Sequence, residues 1–118
     1  MKILIADDHS LVRDGITSLL EAAGHEVVGQ ASNGREALEK AHRLHPDIVL
    51  MDISMPQMDG LEALSRMTRE MPQVRVVMLT VSDNDADLLA SIQAGAKGYL
   101  LKNLPTDGFL RALEELER

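Results

Sequence analysis

Polar side chains able to do chemistry follow four short apolar stretches of the chain. The stretches and the residues that follow them are Ile3–Ala6 before Asp7 and Asp8, Ile48–Met51 before Asp52, Val74–Leu79 before Thr80, and Tyr99–Leu101 before Lys102. A single Asp at such a position is usually a solvated loop residue or a helix cap. The recurrence of polar residues at the same position after four separate stretches indicates a site assembled from all of them.

The chemistry of this set depends on its three carboxylates. Asp7, Asp8 and Asp52 would repel one another at close range unless a cation lay among them. Mg²⁺ suits such a site, because it takes oxygen ligands, keeps several waters and accepts carboxylates together with a phosphate oxygen. Lys102 adds a positive charge on a flexible stem, and Thr80 adds a hydroxyl donor. A carboxylate nucleophile, a metal and a lysine together favour acyl-phosphate formation.

The composition excludes several other functions. Twelve Lys and Arg against nineteen Asp and Glu give a net charge of −7 over 118 residues. We expect no direct nucleic-acid binding by so acidic a domain, because contacts of basic residues to phosphates dominate that affinity. The absence of Cys excludes disulfide and thiolate chemistry. No apolar run approaches the roughly 20 residues of a membrane span, and no secretory signal is evident, so we expect a cytoplasmic location.

Apolar periodicity predicts short strands alternating with amphipathic helices. The strands are predicted at 3–6, 26–29, 48–51, 74–79 and 99–101, and the helices at 11–23, from Asn33 to before Pro46, from Asp59 to before Pro72, at 83–94 and at 106–116. Ser10, Asn33 and Asp59 are predicted N-caps, and Gly24 and Gly95 are predicted to follow helix ends.

Strands that are apolar on both faces and separated by helices predict a parallel sheet covered by helices on each side. Right-handed crossovers restrict this α/β arrangement to an open doubly wound sheet, whose active crevice lies beyond the carboxyl ends of the strands. The polar residues named above all fall at that edge, so we expect them to converge. A flavin-binding protein of this topology is disfavoured, because the loops offer no phosphate-cradling Gly/Ser/Thr run.

Four segments resemble a known family: ILIADDHSLVRDGI, DIVLMDISMPQMDGLEAL, VVMLTVSDN and AGAKGYLLK. They are similar to the receiver domain of two-component response regulators, and the segments DDHSLVRDG, LTVSDN and GAKGYLLK resemble the NarL/FixJ branch. The resemblance implies a single receiver domain over residues 1–118, with a doubly wound five-stranded parallel sheet of flavodoxin-like (CheY-like) (βα)5 type and strand order 2-1-3-4-5. It also implies that the complete protein carries a C-terminal helix-turn-helix DNA-binding domain.

The resemblance further implies how the acidic residues divide the work. Asp52 would accept the phosphoryl group and, with Asp8, bind Mg²⁺ directly, whereas Asp7 would act on the metal mainly through water. The backbone carbonyl of Ser54 would complete the protein's share of the metal shell.

A switch is implied by the same resemblance. Thr80 and Lys102 would bond phosphoryl oxygens, and Tyr99 would change rotamer together with Thr80. Simple core packing is the alternative interpretation of Tyr99, because aromatic residues are common in strands.

The sequence departs from the family pattern near the site. The family usually has Pro directly after the lysine, with a cis bond, whereas Asn103 follows here and Pro105 comes later. Val81 stands where a small residue is common and is expected to restrict access to the phosphoryl group. Ser54 and Ser82 flank the site and are expected to affect the lifetime of that group.

Histidine and methionine suggest less specific roles. His9 adjoins the acidic pair, but Mg²⁺ prefers oxygen, and His25, His42 and His45 lie in unrelated elements, so no histidine ligand spacing is present. The seven Met residues are interpreted mainly as core gap-fillers.

Two functional hypotheses follow. In the first, a sensor histidine kinase donates a phosphoryl group to Asp52 in a Mg²⁺-dependent step that the domain itself catalyses, as it does the reverse dephosphorylation. The resulting conformational change near the fourth helix and fifth strand then controls an output domain for transcription regulation, with homodimerisation on phosphorylation. The alternative is a phosphorylation-independent protein-binding module, against which the complete set of Asp residues, Thr80 and Lys102 argues.

Overall fold

The computed structural model describes residues 1–81 and 85–117. Its strands are β1 (Lys2–Ala6), β2 (Glu26–Ala31), β3 (Ile48–Asp52), β4 (Arg75–Thr80) and β5 (Gly98–Leu101). Its helices are α1 (Ser10–Ala22), α2 (Gly34–Leu44), α3 (Gly60–Glu70), α4 (Asp85–Gln93) and α5 (Thr106–Glu117). Every predicted element is present. The predicted start of the fourth helix, Asp83, lies outside the described residues, as does Ser82.

The strands form one parallel sheet in the order β2-β1-β3-β4-β5, which confirms the predicted topology. The chain moves from β1 outward to β2, then returns past β1 to β3, so the order reverses beside β1. Ligand crevices in open α/β sheets lie at such a reversal, outside the carboxyl ends of the strands. The topology therefore directs attention to the loops after β1 and β3.

The three central strands, β1, β3 and β4, bury both of their faces, which explains why they read as continuous apolar runs. One face packs with α2 and α3 in a cluster that includes Leu4, Val49, Met51, Leu64 and Met78. The other face packs with α1 and α5 in a cluster that includes Ile3, Ile5, Leu20, Leu50 and Leu113. The sheet is held rigidly from both sides, and the residues at its edge are positioned by it.

The predicted N-caps of the second and third helices are confirmed. Asn33 Oδ1 accepts from the Glu36 amide at 2.8 Å, and Asp59 Oδ1 accepts from the Glu62 amide at 2.9 Å. Gly24 and Gly95 follow helix ends with φ values of 93° and 104°, as predicted.

The predicted N-cap of the first helix is wrong. His9 caps α1, and Ser10 is its first helical residue. The reason lies in the preceding loop, where Asp7 Oδ1 accepts from the His9 amide at 2.9 Å and closes a tight turn. The His9 carbonyl then accepts the first helical bond from the Arg13 amide at 3.1 Å, so the helix begins one residue earlier than the residue types suggest.

β2 is longer than predicted, because Gln30 and Ala31 continue the ladder opposite Ile5 and Ala6. This extension brings β2 level with the end of β1, beside the loop that carries the acidic pair. No helix in the described ranges has the length and apolar character needed to cross a bilayer.

Candidate functional site

The sheet delivers the candidate site residues to one edge. Asp7 follows β1 and Lys102 follows β5, whereas Asp52 and Thr80 are the last residues of β3 and β4. Backbone bonding continues past the strand ends: the Asp7 amide donates to the Ala31 carbonyl at 3.0 Å, and the Lys102 amide donates to the Thr80 carbonyl at 2.7 Å. The parallel ladder therefore fixes where these side chains begin.

Lys102 joins two of the carboxylates. Its Nζ lies 2.5 Å from Asp7 Oδ2 and 3.2 Å from Asp52 Oδ2. Asp7 is fully buried, and Asp52 is 6% exposed. An ammonium shared by two carboxylates in so dry a place interacts strongly, because solvent screens it poorly. The charge of this trio is still −1, and Asp8 adds a further negative charge.

The acidic side chains are close enough to share one cation. Asp7, Asp8, His9 and Asp52 each offer a ligand atom within 4.8 Å of the others. His9 Nδ1 lies 3.1 Å from Asp8 Oδ1 and 3.2 Å from Asp7 Oδ1, although the His9 side chain is 68% exposed. Asp7 Oδ2 is buried and, among the residues that the structure describes, accepts no hydrogen bond of regular geometry beyond its ion pair with Lys102. Three carboxylates with an incompletely satisfied buried oxygen fit a hard, oxygen-seeking ion such as Mg²⁺.

The two central ionisable groups have shifted pKa values. Burial, reinforced by the negative charge of Asp7, raises the pKa of Asp52 against the opposing effects of Lys102 and the Ser54 amide. Burial works to lower the pKa of Lys102, but hydrogen bonding to Asp7 and the charge of Asp52 outweigh it and raise that pKa. Lys102 is therefore a permanent ammonium near neutral pH, and Asp52 is a poorly solvated carboxyl group.

These groups open into a cleft of about 470 Å³. It is lined by Asp8, His9, Val12, Asp52, Ile53, Ser54, Thr80, Val81, Asp87 and Lys102. Val81 is 77% exposed, so it stands at the rim of the cleft. It is the residue expected to restrict access to the phosphoryl group. Asp87 on α4 was missed, because nothing in the local pattern of a helix's first turn shows that the helix faces this edge.

The loop after β3 carries Asp52 on a tightly packed backbone. Gly60 donates its amide to the Ile53 carbonyl at 2.8 Å, and a Cβ at Gly60 would lie only 2.0 Å from the Asp52 carbonyl oxygen. Ser54 is exposed in the same loop, and it is one of the residues that line the cleft. Gly60 is thus required for its lack of a side chain.

The turn after β5 delivers Lys102 without a cis bond. All peptide bonds among the described residues are trans, including the one before Asn103. The Leu104 amide donates to the Leu101 carbonyl at 3.2 Å and closes the turn. Asn103 in place of proline is therefore compatible with a lysine that reaches the acidic cluster.

Tyr99 lies apart from the acidic cleft. It is half-buried, packs against the core cluster on the α2 and α3 side, and lines a separate groove with Leu88, Ser91 and Ile92 of α4. This placement joins β5 to α4.

Comparisons with known proteins agree on the class. The model of the response regulator receiver domain matches residues 3–114. The response regulator GacA of Pseudomonas syringae is 50% identical over 103 residues, which are 86% of this chain and 48% of that protein. VraR of Staphylococcus aureus is 40% identical over 119 residues, covering 100% of this chain and 57% of that protein. The chain spans about half the length of these curated relatives.

Solved structures agree as well. A LuxR-family two-component response regulator from Aurantimonas superposes with a TM-score of 0.92 at 32% identity, over 98% of this chain and 83% of that one. CheY in a complex with CheX, BeF₃ and Mg²⁺ from Borrelia burgdorferi gives a TM-score of 0.94 at 28% identity, over 100% and 90% of the two chains. The class is that of two-component signalling receivers. The chain belongs to the response regulator receiver domain family, as its segments predicted.

Receiver domains generally bind Mg²⁺ at an acidic pocket, and the cluster of Asp7, Asp8 and Asp52 is the acidic pocket of this chain.

Proposed function

We propose that Asp52 accepts a phosphoryl group from a phosphohistidine of a sensor histidine kinase, and that Mg²⁺ is held by Asp7, Asp8, Asp52 and the Ser54 carbonyl. The observation that carries the proposal is the position of Lys102, whose ammonium lies within 3.2 Å of Asp52 in a buried acidic cluster. A buried ion pair gains little net stability once its desolvation is counted, so stability alone does not account for an ammonium at this position. The Lys102 ammonium is explained by the negative charge of the phosphoryl group that arrives during the reaction.

The transfer step uses a carboxylate oxygen of Asp52 as nucleophile. That oxygen forms a bond to phosphorus while the bond from phosphorus to the donor imidazole nitrogen breaks. The bonding electrons stay on that nitrogen, and an acyl phosphate remains on Asp52. The carboxylate is suited to attack because burial leaves it poorly solvated, as its raised pKa reflects.

The remaining residues neutralise and orient the phosphoryl group. Lys102 stays charged and offers its ammonium to a phosphoryl oxygen, and the Thr80 hydroxyl donates to another. Asp7, Asp8, Asp52 and the Ser54 carbonyl would hold Mg²⁺, which would supply positive charge against the negative charge of the transition state. Positioning and charge thus supply the catalysis, and the domain promotes its own phosphorylation and dephosphorylation.

The chemistry is converted into a signal by a shift between two conformations. Thr80 moves toward the new phosphoryl group, and Tyr99, which already lines a groove with α4, turns into the space that Thr80 leaves. A change in population from 1:99 to 99:1 requires about 5.5 kcal/mol of differential stabilisation. The new contacts of Lys102 and Thr80 with the phosphoryl oxygens are the source of that energy.

The readout is proposed to be transcriptional. A LuxR-family structure is among the similar proteins, and LnrK of Bacillus subtilis, 44% identical over 114 residues, is named a transcriptional regulatory protein. We place residues 1–118 as one receiver domain of a cytoplasmic protein, which acts on a C-terminal DNA-binding domain and forms homodimers on phosphorylation.

The test is mass spectrometry of the protein after incubation with acetyl phosphate and Mg²⁺. The wild type is expected to gain the mass of one phosphoryl group, and Asp52→Asn is expected to gain none. Asp14→Asn, an exposed carboxylate of α1 outside the cleft, is the matched control and should label like the wild type. Labelling of the Asp52→Asn protein would reject the assignment.

A further inference from the structure

The loop that carries the acidic pair is held from outside the site by an arginine of α1. Arg13 Nη1 donates to the Asp7 backbone carbonyl at 2.6 Å. On the other side of the same residue, the Asp7 amide donates to the Ala31 carbonyl at 3.0 Å. Both peptide groups of Asp7 are therefore fixed, one by the end of β2 and one by α1.

Arg13 is itself anchored. Its Nε donates to Gln30 Oε1 at 3.3 Å, and Gln30 Nε2 donates to Thr17 Oγ1 at 2.8 Å. The Gln30 carbonyl accepts from Lys40 of α2. The guanidinium thus sits in a frame built by α1, β2 and α2, none of which contributes a carboxylate to the cluster.

Asp8 depends on this frame more than its neighbours do. In the described part of the chain its carboxylate has one polar partner, His9, which is 68% exposed. By contrast, Asp7 and Asp52 are both held by Lys102. The peptide between Asp7 and Asp8 sets the direction in which the Asp8 side chain leaves the backbone, and the carbonyl of that peptide is the one that Arg13 binds.

We infer that Arg13 is a positioning residue for the divalent metal, acting through the Asp7–Asp8 peptide to pre-orient the Asp8 carboxylate. The inference rests on the proposed metal site. Arginine suits this role because its planar guanidinium holds Nη1 and Nε in a fixed relation. It can therefore donate to the Asp7 carbonyl and to the side-chain oxygen of Gln30 at the same time. Lysine would keep the charge but could not hold both partners.

The experiment is calorimetric titration of the metal-free proteins with Mg²⁺ alone. Arg13→Ala is expected to weaken Mg²⁺ binding by about 10-fold, the lower end of the range for residues that orient metal ligands. Arg13→Lys should bind nearly as weakly as Arg13→Ala, and Gln30→Ala should show a smaller loss. The matched control is Arg66→Ala, which removes a half-buried helical arginine paired with Glu70 on α3 and should bind Mg²⁺ like the wild type.

A purely structural role would give a different pattern. It would lower the thermal midpoint of the metal-free Arg13→Ala protein, as is also expected of Arg66→Ala, without a selective loss of Mg²⁺ affinity. A double variant of Arg13 and Gln30 should bind no more weakly than Arg13→Ala alone, because both changes remove one path.

Wild-type affinity in Arg13→Ala would overturn the inference, as would full rescue by Arg13→Lys, since charge alone would then suffice. If Arg13→Ala fails to fold, wild-type affinity in both Arg13→Lys and Gln30→Ala overturns it instead. A wild-type protein that binds no Mg²⁺ would reject the metal site together with this inference, whereas normal wild-type binding with an unaffected Arg13→Ala rejects the inference alone.

Discussion

At the scale of single residues, Asp52 is kept in a place that opposes its charge. Burial and the neighbouring Asp7 both favour its protonated form, and Lys102 only partly offsets them. The folded protein therefore binds a proton at Asp52 more tightly than the unfolded chain does. A group arranged in this way destabilises the metal-free fold while it is ionised, which is common where chemistry and stability compete.

The first prediction concerns the destabilisation of the metal-free fold by the ionised Asp52 carboxylate. A carboxyl group whose pKa is raised on folding favours the folded state below its unfolded pKa, near 3.8, and loses that contribution as the pH rises through the folded pKa. Asn cannot ionise, so metal-free Asp52→Asn should be more stable than the wild type near neutral pH. Its advantage should grow as the pH rises above about 4, the ordinary pKa of the carboxyl group. Urea unfolding in a chelating buffer measures it.

Mg²⁺ should reverse the order of stability, so that the wild type becomes more stable than Asp52→Asn. At a concentration 100-fold above its dissociation constant, Mg²⁺ bound only to the folded state would stabilise it by about 2.7 kcal/mol. Asp52→Asn would lose part of this stabilisation, because it removes one of the proposed metal-binding carboxylates. An advantage of Asp52→Asn that is the same at low and neutral pH would contradict the assigned cause.

At the scale of elements, the loop from β3 to α3 is packed so closely that its sequence cannot vary freely. Gly60 begins α3 directly against the carbonyl of Asp52. The start of the helix and the end of the strand therefore pack as one unit, joined by the hydrogen bond from the Gly60 amide to the Ile53 carbonyl. A side chain added there must move Asp52, the proposed phosphoryl acceptor.

The next prediction follows from that contact. Gly60→Ala should destabilise the fold by about 3 kcal/mol, the upper end for overpacking, because the atoms in its way are backbone. It should also slow phosphorylation by acetyl phosphate. Gly15→Ala is the matched control: a Cβ there meets nothing within 4 Å, and it lies inside α1, so it should stabilise by up to about 1 kcal/mol. Equal effects of the two changes would contradict the packing argument.

The sequence predicted the elements well and the contacts between them less well. The strand ends after Ala6, at Asp52 and before Lys102 follow from apolar runs, and parallel strands must bring such ends to one edge. Ser10 was assigned as a cap by residue type, because a one-dimensional pattern cannot show Asp7 folding over the His9 amide. Asp87 lines the cleft from α4, and Arg13 of α1 binds the Asp7 carbonyl behind it; both contacts are set only by the tertiary packing.

At the scale of the whole molecule, the acidic cleft and the groove beside α4 are both built on the same five-stranded sheet. The proposed coupling of the carboxyl edge to α4 runs through β5, where Tyr99 pairs in register with Met78 of β4. Any ligand that binds only the folded state raises its stability, and one that mimics the phosphoryl group should do so through the same edge.

The last prediction uses beryllofluoride, a phosphate mimic, with Mg²⁺. Together they should raise the thermal midpoint of the wild type by roughly 10 °C under saturating conditions. Mg²⁺ alone should give a smaller shift. Asp52→Asn should show no response to beryllofluoride, which makes it the control. An unresponsive wild type would favour the alternative of a protein-binding module that works without phosphate.

The distribution of sulfur across the sheet has a practical consequence. Six of the seven Met residues lie in the core cluster beneath α2 and α3: Met51, Met55, Met58, Met67, Met71 and Met78. The opposite cluster has only Met1, packed at its margin. Carbon-13 labelling of the Met methyl groups would therefore give NMR signals almost entirely from the α2 and α3 side of the interior. Rearrangements on the α2 and α3 side can be followed without introducing any foreign probe.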